Sequence, residues 1–401
     1  MPFLSRRAQL APASPIRKLE PLARQAAERG LHIYHLNIGQ PDVPTPAAFL
    51  RAATLPEGQV LAYSPSVGLY GFRRALAAHY SGSLGLPVTE EDVLVTTGGS
   101  EALLFAILSI CDPGDEIITP EPFYPNYRMF AVMAGAEVRP LRTRIEEGFR
   151  LPPPAVFAEA VTPRTRAVLL CNPSNPTGAV YDPEALRAVV DLCRQRGLYL
   201  IADEVYREFI YGGLRPQSIL AIPGATDVAI VVDSLSKRFS ACGARVGCLV
   251  SRLRPVLEAA TRFAMSRLSP PTLGQLGGMA VLQEAEAFIE PMIADFERRR
   301  NVLLEELRRL PGVLCPEPQG AFYLMARLPV DSSERFCQWL LTDFSLDGET
   351  VMLAPGPGFY ATAGAGHDEV RIAYVLAEAP LRRAMHLLGH ALGTYPGGTR
   401  G

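Results

Sequence analysis

The stretch SLSKRFSACGARVG, residues 234–247, decides how this chain folds and where its chemistry sits. It directly follows residues 229–232 (AIVV), an apolar run without alternation that reads as a strand buried on both faces. Lys237 therefore projects from the carboxyl end of a sheet, the edge at which open α/β folds bind ligands. The hydroxyls of Ser234 and Ser236, the cation Arg245 and the glycines between them suit a phosphate. A solvated lysine after a strand would read the same in isolation. The chain holds 37 arginines and only two lysines, Lys18 and Lys237, so chemistry that needs a side-chain amine has two candidates.

Outward from this stretch, strands and helices alternate. Residues 116–119, 166–171 (RAVLLC), 198–202 (LYLIA) and 246–251 read as further strands. A helix is predicted over 100–110, opened by Gly98-Gly99. Another is predicted over 183–196, with Asp182 as N-cap, Pro183 at its first position and Gly197 as its stop. Apolar strands separated by helices predict an α/β fold with a mostly parallel sheet covered on both faces. A long helical stretch over 281–310, with a kink expected at Pro291, leads to strand, helix, strand, strand and helix over about 320–393. The expected division is a large domain over 46–290 and a smaller α/β domain over 291–401. Residues 1–45, with an amphipathic helix near 17–29, form a segment contributing to the small domain.

Three more motifs carry special residues. Thr96-Thr97-Gly98-Gly99-Ser100-Glu101 places glycines at a helix N-terminus, where free N–H groups favour an anion; a plain capping turn is the alternative. NPSNPTG (172–178) follows RAVLLC and reads as a rigid functional loop, against a simple tight turn. ADEVY (202–206) brings Asp203 out of a buried strand, where a carboxylate is costly without a cation.

Composition closes off other classes. The 401 residues are 48% apolar and 20% charged, a globular composition with ample apolar surface to bury, and the length predicts roughly two to three domains. Lys plus Arg is 39 against 41 acidic residues, net −2, which leaves no basic field for nucleic acid. The longest apolar stretch, 102–111, is too short to span a bilayer, and no apolar run follows Arg6-Arg7 as in a signal peptide. No membrane or nucleic-acid partner is expected. Seven cysteines without paired CxxC motifs read as reduced thiols of a cytoplasmic protein. His386 and His390 are spaced i, i+4 but lack an acidic third ligand, so no metal is expected.

In this order along the chain, the motifs resemble the class I and II aminotransferases, pyridoxal-phosphate (PLP) enzymes of fold type I. The resemblance runs from LSRR (4–7) through LNIGQPDVPTP (36–46), YSPSVGLYGFRRALA (63–77), TTGGSEAL (96–103) and EPFYPNY (121–127). It continues through NPSNPTG, ADEVY and SLSKRFSACGARVG to VRIAYV (370–375). It implies a seven-stranded, mostly parallel sheet in the large domain. It also implies that Lys237 forms the Schiff base with PLP and carries the proton. Asp203 would keep the pyridine nitrogen protonated, and Asn175 and Tyr206 would donate to the phenolic oxygen. The backbone at Gly99 and Ser100, the Ser234 and Ser236 hydroxyls and Arg245 would hold the phosphate. Tyr124 would stack on the ring. Tyr63 would reach the phosphate of a partner subunit, so the resemblance implies a homodimer with shared active sites. Arg371 would grip the substrate α-carboxylate in a two-point contact that lysine cannot copy, helped by Asn175 and the backbone near Gly39. The implied reaction moves an amino group between an L-amino acid and a 2-oxo acid in two half-reactions, with glutamate and 2-oxoglutarate as one pair.

Departures concern the substrate. One subgroup reads acidic substrates with a lysine after the Gly-Gly pair and a Ser-x-Thr near the N-terminus. Here those positions hold Ser100 and Ser14-Pro15-Ile16. Arg267, and after it Arg17, is a candidate replacement cation, set against local pairing or solvation of both. A PLP-dependent C–S or other β-lyase shares every cofactor contact and is the alternative activity. A transcription regulator on this fold would need an N-terminal DNA-binding domain, for which a resemblance starting near residue 4 leaves no room.

Overall fold

The computed structural model describes residues 2–12 and 14–399, apart from the side chains of residues 83 and 84. Its strands are β1 His32–His35, β2 Val93–Thr96, β3 Glu116–Glu121, β4 Glu137–Arg142, β5 Thr165–Cys171 and β6 Tyr199–Asp203. They continue as β7 Ala229–Ser234, β8 Gly247–Val250, β9 Tyr323–Arg327, β10 Glu349–Met352, β11 Ala354–Pro355 and β12 Glu369–Ala373.

Seven of these form one sheet in the order β2-β8-β7-β6-β5-β3-β4. Only β8 runs against the others, pairing antiparallel with both β2 and β7. In β6 and β7 alternate residues enter two different cores. Ile201, Ile230 and Val232 pack on one face, and Leu200 and Val231 on the other. This explains the unbroken apolar run at 229–232: all four residues are fully buried, and each large aliphatic side chain contributes about 1.5–3 kcal/mol.

Topology sets the site. The carboxyl ends of β2, β3, β5, β6 and β7 all lie at one edge of the sheet. So does the start of β8, because that strand is reversed. The motif loops leave the sheet at these ends. The Pro183–Arg196 helix forms as its signals require: the Asp182 carboxylate accepts from the Glu184 N–H at 2.7 Å, and Gly197 closes it at φ 64°.

Two sequence expectations are corrected. The stretch 281–310 is not one helix. It breaks at residues 283–284, between helices Thr272–Leu282 and Ala285–Arg308, and the second runs through Pro291. Pro291 and Ala287, whose carbonyl the proline leaves without a donor, are both exposed, so water can satisfy that carbonyl. The helix near 17–29 begins only at Glu20, where Pro21 fixes its first turn.

Beyond the long helix, β11, β12 and β9 form an antiparallel sheet in that order. β1 pairs in parallel with β10, so a strand from residues 1–45 lies beside one from residues 291–401.

Candidate active site

A cavity of about 570 Å³ opens at the carboxyl edge of the large sheet. Five strand ends and the small antiparallel sheet supply its wall, and Lys237 stands among them. Ser234 ends β7 and caps the short helix Leu235–Arg238, accepting from the Ser236 N–H at 3.1 Å. Its own hydroxyl donates to the Val246 carbonyl at 3.0 Å and lies 2.8 Å from the Ser236 hydroxyl. Lys237 Nζ donates to the Gly39 carbonyl at 2.8 Å and lies 3.6 Å from Cys242 Sγ.

Asp203, at the end of β6, is the only acid in the described cavity wall. It accepts from the Tyr127 hydroxyl at 2.6 Å and the Val205 N–H at 3.3 Å, but makes no ion pair. Burial pushes its pKa up to about 6, against the pull of these two donors and of Lys237. The carboxylate is therefore poised for a cation brought by a ligand.

The opposite charge stands unpaired across the cavity. Arg371, in β12, is 1% exposed and has no carboxylate partner. Nη1 donates to Asn175 Oδ1 at 2.9 Å and Nη2 to the Asn37 carbonyl at 2.5 Å, while Nε has no partner. The guanidinium lies 4.3 Å above the Tyr323 ring. Burial lowers its pKa. A buried planar cation that lacks an anion suits a carboxylate in a two-point contact.

The third feature is a cradle. Gly98, at φ +73°, opens the helix Gly98–Ile110 below Arg245. A Cβ there would stand 2.5 Å from Arg245 Nη2, so only glycine lets the guanidinium approach the helix N-terminus. Gly99, Ser100, Ser234, Ser236 and Arg245 share this part of the wall. N–H groups at a helix start, two hydroxyls and a cation form a phosphate-binding set. Tyr124 also lines the cavity, edge-on to Tyr127 at 5.6 Å, and burial raises its pKa to about 12.

The donor set thus offers a phosphate cradle, an amine and an uncompensated carboxylate around one space. It fits pyridoxal phosphate: anionic at one end, able to carry a protonated ring nitrogen, with an aldehyde for the amine.

Of the predicted site residues, Gly39, Gly99, Ser100, Tyr124, Asn175, Asp203, Tyr206, Ser234, Ser236, Lys237, Arg245 and Arg371 all line the cavity. Tyr63 does not: it lies outside and is 79% exposed. Arg267 does not line it either. Its Nε pairs with Glu101 at 3.2 Å and its Nη2 donates to the Val95 carbonyl at 3.1 Å, so a structural pairing replaces the expected substrate contact. Arg17 does line the cavity. Sequence reasoning missed Tyr127, Asn37, Cys242 and Tyr323, whose hydroxyl lies 2.9 Å from that of Tyr206. Asn37, Tyr127 and Cys242 stood inside quoted motifs, whereas Tyr323 comes from a distant strand with no local signal.

Comparison with known proteins identifies the family. The sequence model of the family described as "Aminotransferase class I and II" matches residues 32–387. An aspartate/prephenate aminotransferase of Thermus thermophilus is 34% identical, covering 97% of this chain and 99% of its own length. An aspartate aminotransferase of Pyrococcus horikoshii is 30% identical, covering 97% of each. A solved structure of the Thermus thermophilus aspartate aminotransferase with maleate superposes with a TM-score of 0.89 at 33% identity, covering 98% of this chain and 100% of that one.

Proposed function

Because this chain belongs to the class I and II aminotransferases and transfers amino groups with pyridoxal phosphate, we propose that glutamate and 2-oxoglutarate are one of its donor–acceptor pairs and that the cavity residues divide the work as follows. The observation that carries the assignment is the pair of uncompensated buried charges facing one cavity, Asp203 and Arg371.

When bound, the cofactor supplies an aldehyde that condenses with amines and a cationic ring that withdraws electrons from the substrate Cα. Lys237 Nζ would anchor it, and as the one amine on the described cavity wall would take up the substrate Cα proton and carry it to the cofactor side of the bond. The Gly39 carbonyl orients Nζ from 2.8 Å. Asp203 holds the proton on the ring nitrogen; a cation facing it offsets the burial that otherwise disfavours its charge. Asn175 accepts from Arg371 through Oδ1, which leaves its amide nitrogen to donate to the phenolic oxygen together with the Tyr206 hydroxyl. Gly99, Ser100, Ser234, Ser236 and Arg245 would hold the phosphate, and Tyr124, on the same wall, would contact the ring. Arg371 binds the α-carboxylate and so aims the Cα–H bond at Lys237.

We assign a homodimer, with Tyr63 completing the partner's phosphate site. An exposed apolar surface supports it. Val60, Leu61 and Tyr63 lie on a segment bonded to 270–272 through Ser64 and Thr272, beside exposed Met265 and Leu268. Division into 1–45, 46–290 and 291–401 is supported by the separate sheets and the β1–β10 pairing. A cytoplasmic setting is supported by seven cysteines, all free.

The test is to mix the holoenzyme with single amino acids and no oxo acid while following the cofactor's absorbance. Glutamate should shift the band, and 2-oxoglutarate should restore it. Ammonia release with the band returning unaided would mark a lyase and overturn the reading, as would a band unmoved by every amino acid.

A further inference from the structure

Four cations and one acid line the described cavity wall: Arg17, Lys237, Arg245 and Arg371 against Asp203. The roles just assigned use all of them except Arg17. Its side chain makes no hydrogen bond or ion pair, whereas the next residue, Lys18, is tied away to Glu334.

Nor is Arg17 simply loose at the mouth. Its segment is fixed on three sides. The Arg17 N–H donates to the Ser14 carbonyl at 3.2 Å, closing a turn. Pro15 is buried against Gly358, so closely that a Cβ on that glycine would stand 2.2 Å from Pro15 Cβ. The Asn37 amide donates to the Ile16 carbonyl at 2.9 Å. Asn37, fully buried, accepts at its own carbonyl from Arg371 Nη2. One buried residue therefore touches both the arginine assigned to the α-carboxylate and the turn that carries the spare arginine. The turn that carries exposed Arg17 and the buried guanidinium of Arg371 thus share one partner, and both residues line the same cavity.

We propose that Arg17 reads the second carboxylate of amino- and 2-oxo-dicarboxylate substrates while Arg371 takes the first. The proposal rests on the aminotransferase roles above and specifies their substrate class. Arg267 cannot share the task, because Glu101 and two backbone carbonyls occupy it. A guanidinium and a carboxylate form a charge-assisted pair, so losing it costs about ten- to a hundredfold in affinity.

The experiment compares wild type with Arg17→Ala as holoenzymes. Half-reactions are followed with glutamate, aspartate, alanine and phenylalanine, and maleate and acetate are titrated as unreactive ligands by calorimetry. Arg17→Ala should raise KM for glutamate and aspartate, and the maleate dissociation constant, about ten- to a hundredfold. It should leave alanine, phenylalanine and acetate within about twofold. Unchanged maleate binding, or an equal loss for neutral and dicarboxylic ligands, overturns the proposal while leaving amino transfer intact. If no amino acid moves the cofactor band in wild type, the aminotransferase roles fall instead, and the maleate titration still decides whether Arg17 binds a second carboxylate.

Discussion

The ends of β6 and β7 present charge on two faces of the sheet, and the two faces handle it differently. On the face away from the cavity, Arg207 and Arg238 are fully buried, and every charge there has a partner. Arg238 meets both Asp233 oxygens at 2.7 Å and Glu208 at 3.1 Å. Arg207 meets Glu204 and Glu208, each at 2.9 Å. On the cavity face, Asp203 and Arg371 are as deeply buried and have no counter-ion. Neighbours in sequence part company here: Asp203 from Glu204, and Lys237 from Arg238. Burial pushes both Asp203 and Glu208 up. At Glu208 the two arginines outweigh it and the net shift is downward, while Asp203 remains raised. A paired buried charge holds the fold together; an unpaired one waits for a ligand.

Substitutions should separate the two faces. The largest effect is expected at Lys237→Ala, which should lower turnover on the order of 10²- to 10⁴-fold, measured in the half-reaction, with melting temperature nearly unchanged. Arg238→Ala should do the reverse. It leaves buried carboxylates short of a cation and should cost about 3–5 kcal/mol in denaturant unfolding of the cofactor-free protein. Asp203→Asn should weaken cofactor retention yet stabilise the cofactor-free protein by up to about 3 kcal/mol. The sign follows from a folded pKa raised from 3.8 to about 6. The native state binds the extra proton, so wild-type stability falls as pH rises through that window. The gap between wild type and Asp203→Asn should therefore open between pH 4 and 6 and stay constant above, read by melting at each pH. Tyr80→Phe, which removes a 2.8 Å donor to Asp233 on the paired face, should cost about 1–3 kcal/mol and leave KM unchanged.

Much of this was legible in the sequence because the site is assembled at strand ends. Each motif followed an apolar run, so each loop's place at the sheet edge could be read locally. The cavity gathers every candidate cofactor or substrate residue of the sequence analysis except Tyr63 and Arg267. What stayed hidden depended on contacts distant in sequence. Strand β4 carries Pro140 and half-exposed side chains, a pattern that does not announce a strand and is tolerated because β4 is an edge. Strand β2 has only four residues. Asn37 meets Arg371 across 334 residues, and Tyr323 meets Tyr206 across 117. Arg267 looked like a spare cation because Glu101, its partner, lies far away in the chain.

The central claim is that the unpaired cavity face, through Lys237, takes the cofactor. With only two lysines in the chain, borohydride reduction of the holoenzyme followed by peptide mass mapping tests it directly. The account predicts the cofactor's mass fixed on the peptide that contains Lys237 and none on Lys18, which is ion-paired to Glu334. Cofactor on Lys18, or an absorbing holoenzyme with no mass fixed at Lys237, would contradict it.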